Sequence, residues 1–271
     1  MGNPSGAMVN PPRILKPIAA LCGLLLAATS CSPPSNSEAS YWRPAQGQQW
    51  QVQLDGDLDS SVEADVYEID GVDTTDQDLH AAKASGAHLV CYFNAGAWED
   101  WRPDADQFPR SVLGEALEGW DGERWLDVRR RDVVVPIMAK RMEACKERGF
   151  DAVDPDNVNG HSNQTGFPIS RTDEITYLRE LSRMAHELGL AFGLKNSADL
   201  LDVLEPAVDF AVNEQCHEFD ECEAYGPFLR AGKPVIVIEY TERDASLCGQ
   251  APEGMVILFK TIALTAEGES C

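Results

Sequence analysis

Short apolar runs alternate with longer amphipathic segments from Trp50 onward, and this alternation limits the folds open to the chain. Such a pattern is typical of βα units around a parallel sheet. Eight of these runs are present, which is the number that a closed barrel requires. The predicted strands are Trp50–Leu54, Val66–Ile69, His88–Phe93, Ala152–Asp154, Ala191–Leu194, Phe210–Val212, Val235–Ile238 and Val256–Phe259.

Two segments between these strands have clear helical periodicity. Residues 134–148 place apolar side chains on one face, and Gly149 ends that segment. Thr172, Asp173 and Glu174 open the next helix with a capping residue and first-turn acids. A doubly wound open sheet shares this pattern, but no GxGxxG motif follows a predicted strand, which weakens its nucleotide-binding form. We predict a single (β/α)8 barrel of the TIM type over residues 42–271.

The first 31 residues differ in composition from the rest. Arg13 and Lys16 precede the apolar run Ile18–Ala28, which is too short for a permanent membrane helix and has the charged flank of an export signal. Residues 1–31 are therefore predicted to be a signal peptide.

The end of this signal resembles a bacterial lipobox over Leu26–Cys31, in which Cys31 is lipidated and becomes the first mature residue. Ala28 stands where the pattern prefers Leu, so ordinary signal cleavage is the alternative. Residues 32–41, rich in Ser and Pro, are predicted to be a flexible tether. We expect a protein exported to the outer face of a bacterial membrane, lipid-anchored there or secreted.

Six cysteines follow the predicted signal, and their positions agree with an oxidising compartment. Two disulfides are predicted across loops, Cys216–Cys222 and Cys248–Cys271. Cys91 in a strand and Cys145 on an apolar helix face are predicted to be buried free thiols. Neither CxxC nor HExxH spacing occurs, so we expect no metal and no cofactor.

The formal net charge is -23, and acidic residues recur from Asp55 to Glu269. This charge argues against a nucleic-acid partner, because phosphate binding needs a basic face. It favours a cationic partner, or it serves solubility alone. We expect a monomer.

Polar residues gather at the C-terminal ends of the predicted strands, where a barrel places its active site. One such residue can arise by chance, but seven strand ends would converge on one mouth. Tyr92 and Trp125 are also predicted to contact substrate. The strand-end residues are Asp55, Asp70, Asn94, Asp154–Asn157, Lys195–Asn196, Asn213–Gln215 and Glu239–Tyr240.

Two of these acids, Asp156 and Glu214, would come from the fourth and sixth strands and face each other across the mouth. Glycoside cleavage needs two carboxylates on opposite sides of the bound sugar, one as acid/base and the other as nucleophile or base. Each acid alone is more often an ordinary turn or surface residue. Together they are the predicted catalytic pair.

Four tryptophans lie between the third strand and the next helix: Trp98, Trp101, Trp120 and Trp125. Aromatic rings stack on the apolar faces of sugars, so this cluster suits a glycan cleft. Core packing is an equal alternative for Trp120 and Trp125.

Several ungapped segments resemble glycoside hydrolase family 114, and the likeness runs from about Trp42 to the C-terminus. The segments are Trp125–Val128, Gly149–Gly160, Gly193–Asn196, Asn213–Cys216 and Glu239–Tyr240.

The resemblance implies a (β/α)8 barrel and endo-α-1,4-polygalactosaminidase activity, the internal cleavage of galactosamine-containing exopolysaccharide with retention. It implies that Asp156 is the nucleophile and Glu214 the acid/base. Asp154 and Asn159 stand where relatives often have Glu and Asp. The implied partner is a cationic polysaccharide. Three alternatives are a barrel hydrolase acting on a neutral α-glycan, a carbohydrate-binding lipoprotein without catalysis, and a secreted structural lipoprotein whose acidic residues only make it soluble.

Overall fold

The computed structural model describes residues 41–271. The predicted signal peptide, Cys31 and the tether up to residue 40 lie outside the described residues. Within the described part, no helix has the length and apolar character needed to cross a membrane.

The described chain forms strands and helices in alternation, joined by loops and short 3-10 turns. The strands are β1 Trp50–Gln53, β2 Val66–Asp70, β3 His88–Asn94, β4 Ala97–Glu99, β5 Leu113–Ala116, β6 Glu123–Leu126, β7 Ala152–Asp156, β8 Ala191–Lys195, β9 Phe210–Glu214, β10 Val235–Glu239, β11 Met255–Phe259 and β12 Glu269–Ser270. The helices are α1 Asp76–Ala84, α2 Arg131–Glu147, α3 Arg171–Glu187, α4 Leu201–Leu204, α5 Gly226–Arg230 and α6 Ala245–Gln250.

The main sheet has nine strands in the order β1-β2-β3-β7-β8-β9-β10-β11-β12. The first eight are parallel neighbours in chain order, and β12 pairs antiparallel with β11. The sheet curls until its ends meet, since Lys260 Nζ donates to Gln51 Oε1 at 2.9 Å and Leu54 N donates to Leu264 O at 2.8 Å. The predicted (β/α)8 fold and its eight strands are confirmed.

Side chains along the parallel strands alternate between the barrel interior and the helix-facing surface. Apolar residues fill the lower interior: Trp50, Val52, Val66, Val90, Ala152, Ala191, Phe210, Val212, Ile236, Ile238 and Leu258. The alternate positions join a larger core beneath the helices. Interior positions nearer the C-terminal strand ends are polar, and they include Glu68, Asp70, Tyr92, Asn94, Asp154, Asp156, Lys195 and Glu214. The barrel therefore has an apolar base and a polar mouth.

A small antiparallel sheet of order β4-β6-β5 lies between β3 and α2 in the chain. It was not predicted, because its three strands have only three or four residues each. Leu126 N donates to Gly96 O at 2.8 Å, which ties this sheet to the end of β3.

The two predicted helices correspond to α2 and α3. Helix α3 begins with a capping box in which Ser170 accepts a hydrogen bond from Asp173 N and the Asp173 side chain bonds back to Ser170 N. Ser170 is thus the capping residue, two positions before the predicted start at Thr172. Gly149 and Gly189 have φ of 84° and 71°, which suits glycine at the end of each helix.

Three disulfides link the described residues: Cys91–Cys145, Cys216–Cys222 and Cys248–Cys271. The last two confirm the predicted pairs. The prediction of free thiols at Cys91 and Cys145 is wrong, although both residues are buried. Cys91 faces outward from β3 and Cys145 lies on the face of α2 that packs there, so their Cα atoms are 6.1 Å apart. This spacing suits a disulfide between a strand and its covering helix.

Candidate active site

The polar mouth opens into a cleft of about 460 Å³ that contains both predicted catalytic carboxylates. The sequence-predicted residues that line the cleft are Asp55, Asp70, Tyr92, Asp156, Asn157, Lys195, Asn196, Glu214 and Tyr240. Parallel strands deliver them from different parts of the chain to one end of the barrel, as this fold requires.

Lys195 is the central cation of the site and is almost completely buried. Its ammonium nitrogen lies 3.8 Å from Asp156 Oδ1, 3.9 Å from Glu214 Oε2 and 3.6 Å from Asp154 Oδ2. Burial opposes charge on Lys195, but the neighbouring carboxylates outweigh it and raise the Lys195 pKa well above its ordinary value. A permanent positive charge therefore lies between the two predicted catalytic acids.

Each of these acids accepts a hydrogen bond from a tyrosine phenol. Tyr92 donates to Asp156 Oδ2 at 2.8 Å, and Tyr240 donates to Glu214 Oε1. Asn196 also donates to Glu214 Oε2 at 3.0 Å. Burial tends to raise the Glu214 pKa, but Lys195 and these hydrogen bonds lower it below its ordinary value. Glu214 is thus held as a carboxylate in the unliganded site.

Two fully buried carboxyl groups, Glu68 and Asp154, lie beneath Lys195. Burial raises the pKa of both groups, with Asp154 at about 6 and Glu68 well above its ordinary value. The charge of Asp154 adds to burial in raising the Glu68 pKa, and a proton on one of the two carboxyl groups would remove the repulsion between them. Gly193 makes room for Phe210 and Asp154, because a Cβ there would lie 2.7 Å from Phe210 and 3.1 Å from Asp154. Asp154 is therefore part of the floor of the site.

Arg102 organises one wall of the cleft. Its guanidinium donates to Asp70 Oδ2 at 2.7 Å, to Glu99 Oε1 at 2.8 Å and to Asp73 Oδ2 at 3.1 Å. Burial acts against the charge on Arg102, yet these acidic partners raise its pKa above the ordinary value. Asp70 is consequently neutralised by an ion pair within the protein.

Glu123 begins β6 and lines the same wall. Asn94, at the end of β3, donates to Glu123 Oε2 at 3.0 Å. Burial, Glu99 and Asp156 together raise the Glu123 pKa to about 7. Asn94 thus acts from behind the cleft, through Glu123.

The loops next to the small sheet also supply aromatic side chains at the mouth. Trp101 and Trp120 line the cleft with 51% of their surface exposed. Trp125 is buried, and Trp98 donates its indole hydrogen to Ala105 O at 3.1 Å. Trp101 and Trp120 are therefore the rings available for stacking on a sugar.

Five predicted contacts do not line the cleft: Asn94 and Asp154 lie behind it, and Trp125, Gln215 and Glu239 lie further away. Glu239 occupies a helix-facing position of β10, so strand alternation turns it away from the mouth. Gln215 follows the end of β9, where its φ of 65° breaks the strand alternation. Glu239 accepts a hydrogen bond from His217 N at 3.0 Å, and Gln215 donates to Glu218 at the surface.

Sequence reasoning missed four polar residues of this region: Glu68, Glu99, Arg102 and Glu123. Glu68 has a usable signal, because it is a charged residue two positions before Asp70 on the same strand face. Glu99 and Glu123 have none, since the small sheet that carries them was not predicted, and Arg102 lies in the loop that follows β4.

One further group has ligand types that can hold a metal: Cys216, His217, Cys222 and Glu239 have atoms within 4.8 Å of one another. The two cysteine sulfurs are bonded to each other here, so they are not thiolate ligands.

Two carboxylates flank this cleft, with a fixed cation and two phenols between them. Such a pair can perform acid/base and nucleophilic chemistry on a bound sugar. One must donate a proton to a leaving oxygen while the other attacks carbon or activates water. The exposed indoles provide a surface for the sugar rings beside this pair.

Comparisons with known proteins agree with this geometry. The family model described as glycoside-hydrolase family GH114 matches residues 32–271. Ega3 of Aspergillus fumigatus, solved in complex with galactosamine, is 34% identical with a TM-score of 0.80, over 87% of this chain and 100% of that one. The glycoside hydrolase domain of PelA from Pseudomonas aeruginosa is 14% identical with a TM-score of 0.63, over 82% of this chain and 98% of that one. No match was found among curated proteins.

Proposed function

This chain belongs to glycoside hydrolase family GH114 and is a glycoside hydrolase, and on that premise we propose that it cleaves α-1,4-linked galactosamine-containing exopolysaccharide internally, with retention. The family match covers the whole described barrel. The similar Ega3 structure contains galactosamine, which supports an amino sugar as the substrate unit.

The observation that carries the mechanism is the pairing of Asp156 and Glu214 around Lys195, at 3.8 Å and 3.9 Å. The Lys195 charge, close to both carboxyl groups, limits the repulsion between the two acids. Each acid is also oriented by its own tyrosine. This arrangement supports distinct roles for the two groups.

In the first step, Asp156 attacks the anomeric carbon while Glu214 donates its proton to the departing glycosidic oxygen. A glycosyl ester forms on Asp156, and the leaving sugar departs as an alcohol. Because the Glu214 pKa is low in the unliganded site, the protonated fraction increases as the solution becomes more acidic. We therefore expect turnover to be fastest at acidic pH.

In the second step, the Glu214 carboxylate takes a proton from water, and the resulting hydroxide attacks the same carbon. The ester bond to Asp156 breaks, the sugar is released with its original configuration, and Glu214 is protonated again. The low Glu214 pKa suits this base role directly.

The net charge of -23 supports a cationic polymer as substrate. An acidic surface attracts a deacetylated galactosamine chain from a distance of roughly a Debye length, about 8 Å at physiological salt. Export and lipid anchoring through Cys31 remain part of this proposal. The three disulfides support an oxidising compartment.

The test is to incubate the protein with a galactosamine-containing polymer and with a neutral α-linked glucan, and to measure product size and anomeric configuration. Short α-configured oligomers from the first polymer alone are the expected result. Single sugars would contradict internal cleavage, and β-configured products would contradict retention. Cleavage of the glucan alone would favour a neutral substrate, and binding without cleavage of either polymer would contradict the proposed activity.

A further inference from the structure

The carboxylates that line the cleft differ in one respect, which is the presence of a cation. Asp70, Asp73 and Glu99 have Arg102 within 4 Å, and Asp156 and Glu214 have Lys195. Asp55 is exposed to solvent. Within residues 41–271, Glu123 is the buried cleft carboxylate for which no Lys, Arg or His nitrogen lies within 4 Å.

The surroundings of Glu123 are costly for an anion. The side chain is only 8% exposed, and its β-sheet partner across from β6 is Glu99 of β4. Like charges directly opposite each other on a sheet are destabilising, and a buried charge is normally paired. Glu99 is neutralised by Arg102, but Glu123 receives only the Asn94 amide. A purely structural role gives no reason to keep a carboxylate here.

One oxygen of Glu123 is held by that amide, and no described donor lies within hydrogen-bond distance of the other oxygen. Asn94 is the register partner of Asp156 in the β3–β7 pair. The carboxylate is therefore fixed on the cleft wall beside the proposed nucleophile, with Trp101 and Trp120 on the same wall. A ligand with a positive group would complete its pairing.

We propose that Glu123 binds the protonated 2-amino group of a galactosamine unit next to Asp156 and thereby selects free amino sugars over N-acetylated ones. This inference rests on the proposed function. An ammonium group gives Glu123 the missing cation, whereas an acetamide is neutral and leaves the buried carboxylate unpaired. A sugar hydroxyl can donate a hydrogen bond to Glu123 but cannot neutralise it.

The test uses the full chain and its Glu123→Gln variant. Gln has nearly the same shape and retains an oxygen that can accept from Asn94. Glu115→Gln is the matched control, because Glu115 is exposed on β5 of the same small sheet and lies outside the cleft. Binding of galactosamine, N-acetylgalactosamine and galactose is measured by titration calorimetry. Cleavage of deacetylated and N-acetylated polymer is measured alongside, together with Tm.

The expected result is a loss of galactosamine affinity and of kcat/KM on deacetylated polymer by roughly 30-fold or more in Glu123→Gln. Binding of the two neutral sugars should be unchanged or stronger, and Tm should be equal or higher, because the variant removes repulsion with Glu99. Glu115→Gln should behave as the unmodified protein.

Unchanged galactosamine affinity and unchanged cleavage in Glu123→Gln would overturn the inference while leaving the proposed function intact. Equal weakening of all three sugars, or a lower Tm, would assign Glu123 a structural role and also overturn it. If the unmodified protein cleaves neither polymer, the proposed function fails. In that case, selective galactosamine binding that is lost in Glu123→Gln would still support the amine site.

Discussion

The Tyr92 hydroxyl donates a hydrogen bond of 2.8 Å to the Asp156 carboxylate from the neighbouring strand of the barrel. Tyr240 holds Glu214 in the same manner from the other side of the mouth. Each proposed catalytic acid is therefore positioned by a phenol from a different strand. This symmetry allows the two acids to be tested separately.

Tyr92→Phe and Tyr240→Phe should each reduce kcat/KM by roughly 10- to 100-fold, because a hydrogen bond to a charged group contributes about 1.5–3 kcal/mol. Only Tyr240→Phe should also raise the Glu214 pKa, since its hydroxyl lowers that pKa. The measurement is kcat/KM against pH. The decline of kcat/KM at rising pH should shift to higher pH in Tyr240→Phe and stay in place in Tyr92→Phe. An equal shift in both variants would contradict the separate pairing of each tyrosine with its own acid.

Glu214→Gln should reduce turnover by roughly 10²- to 10⁴-fold, and Asp156→Asn by at least as much, with the fold intact. The roles are separated by adding azide to the corresponding alanine variants. Azide should yield the α-glycosyl azide in Glu214→Ala, by attack on the ester, and the β-glycosyl azide in Asp156→Ala, by attack on the substrate. The opposite assignment of products would exchange the two roles, and full activity in either variant would remove that residue from the mechanism.

Asp154 should make stability depend on pH between about 4 and 6. Its folded-state pKa is raised to about 6, so the folded protein keeps a proton that the unfolded chain has lost in this range. The stabilisation is complete at low pH and is lost as the pH rises through about 6, with a size of the order of 1–3 kcal/mol. Urea unfolding at pH 4, 5, 6 and 7 should show this decline for the unmodified protein relative to Asp154→Asn. Asp57→Asn, at an exposed site, should follow the unmodified protein.

The Cys91–Cys145 disulfide should stabilise the fold more than Cys216–Cys222 does. The first spans 54 residues and the second spans 6, and a longer closed loop restricts the unfolded chain more. Replacing both cysteines of a pair by Ala should lower the free energy of unfolding by about 4 kcal/mol for the first pair and about 2 kcal/mol for the second. Urea unfolding without reductant measures both, and a greater loss from the short loop would reject this ranking.

Salt should weaken cleavage of a cationic polymer. If the acidic surface attracts the substrate, kcat/KM should fall by roughly 10-fold as ionic strength rises from about 0.05 to 0.5 M. An N-acetylated polymer, which is neutral, is the control and should show little change. A salt-independent rate on the cationic polymer would mean that the charge serves solubility.

The strands of the barrel could be predicted because their apolar runs are bounded by polar residues at the mouth. In the structure, six of the eight predicted strands are longer at their C-terminal ends. Each of the six ends at a residue that was predicted for the site: Asp70, Asn94, Asp156, Lys195, Glu214 and Glu239. Strand alternation explains why the first five point inward and Glu239 does not. Once the strand bounds are known, the sequence shows which residues face the barrel interior, because side chains alternate along each strand.

Other features depend on tertiary contacts that periodicity does not report. The pairing of Cys91 with Cys145 requires knowledge of which helix covers β3. The ion pairs of Arg102 and the position of Glu123 require the small sheet, whose strands have three or four residues each. A segment that short has too few alternations to predict a strand.

The small sheet between β3 and α2 and the loops next to it supply Glu123, Trp101 and Trp120, while the barrel strands supply Asp156, Glu214 and Lys195. The groups proposed for recognition and those proposed for bond cleavage are thus encoded in separate stretches of the gene. The half-exposed Trp101 and Trp120 can vary without disturbing the strands that carry the proposed catalytic acids, whereas Arg102 and Glu123 bond to Asp70 and Asn94 at the ends of β2 and β3. Such a division gives evolution, and protein engineering, a route to new polymer preferences on an unchanged chemical core.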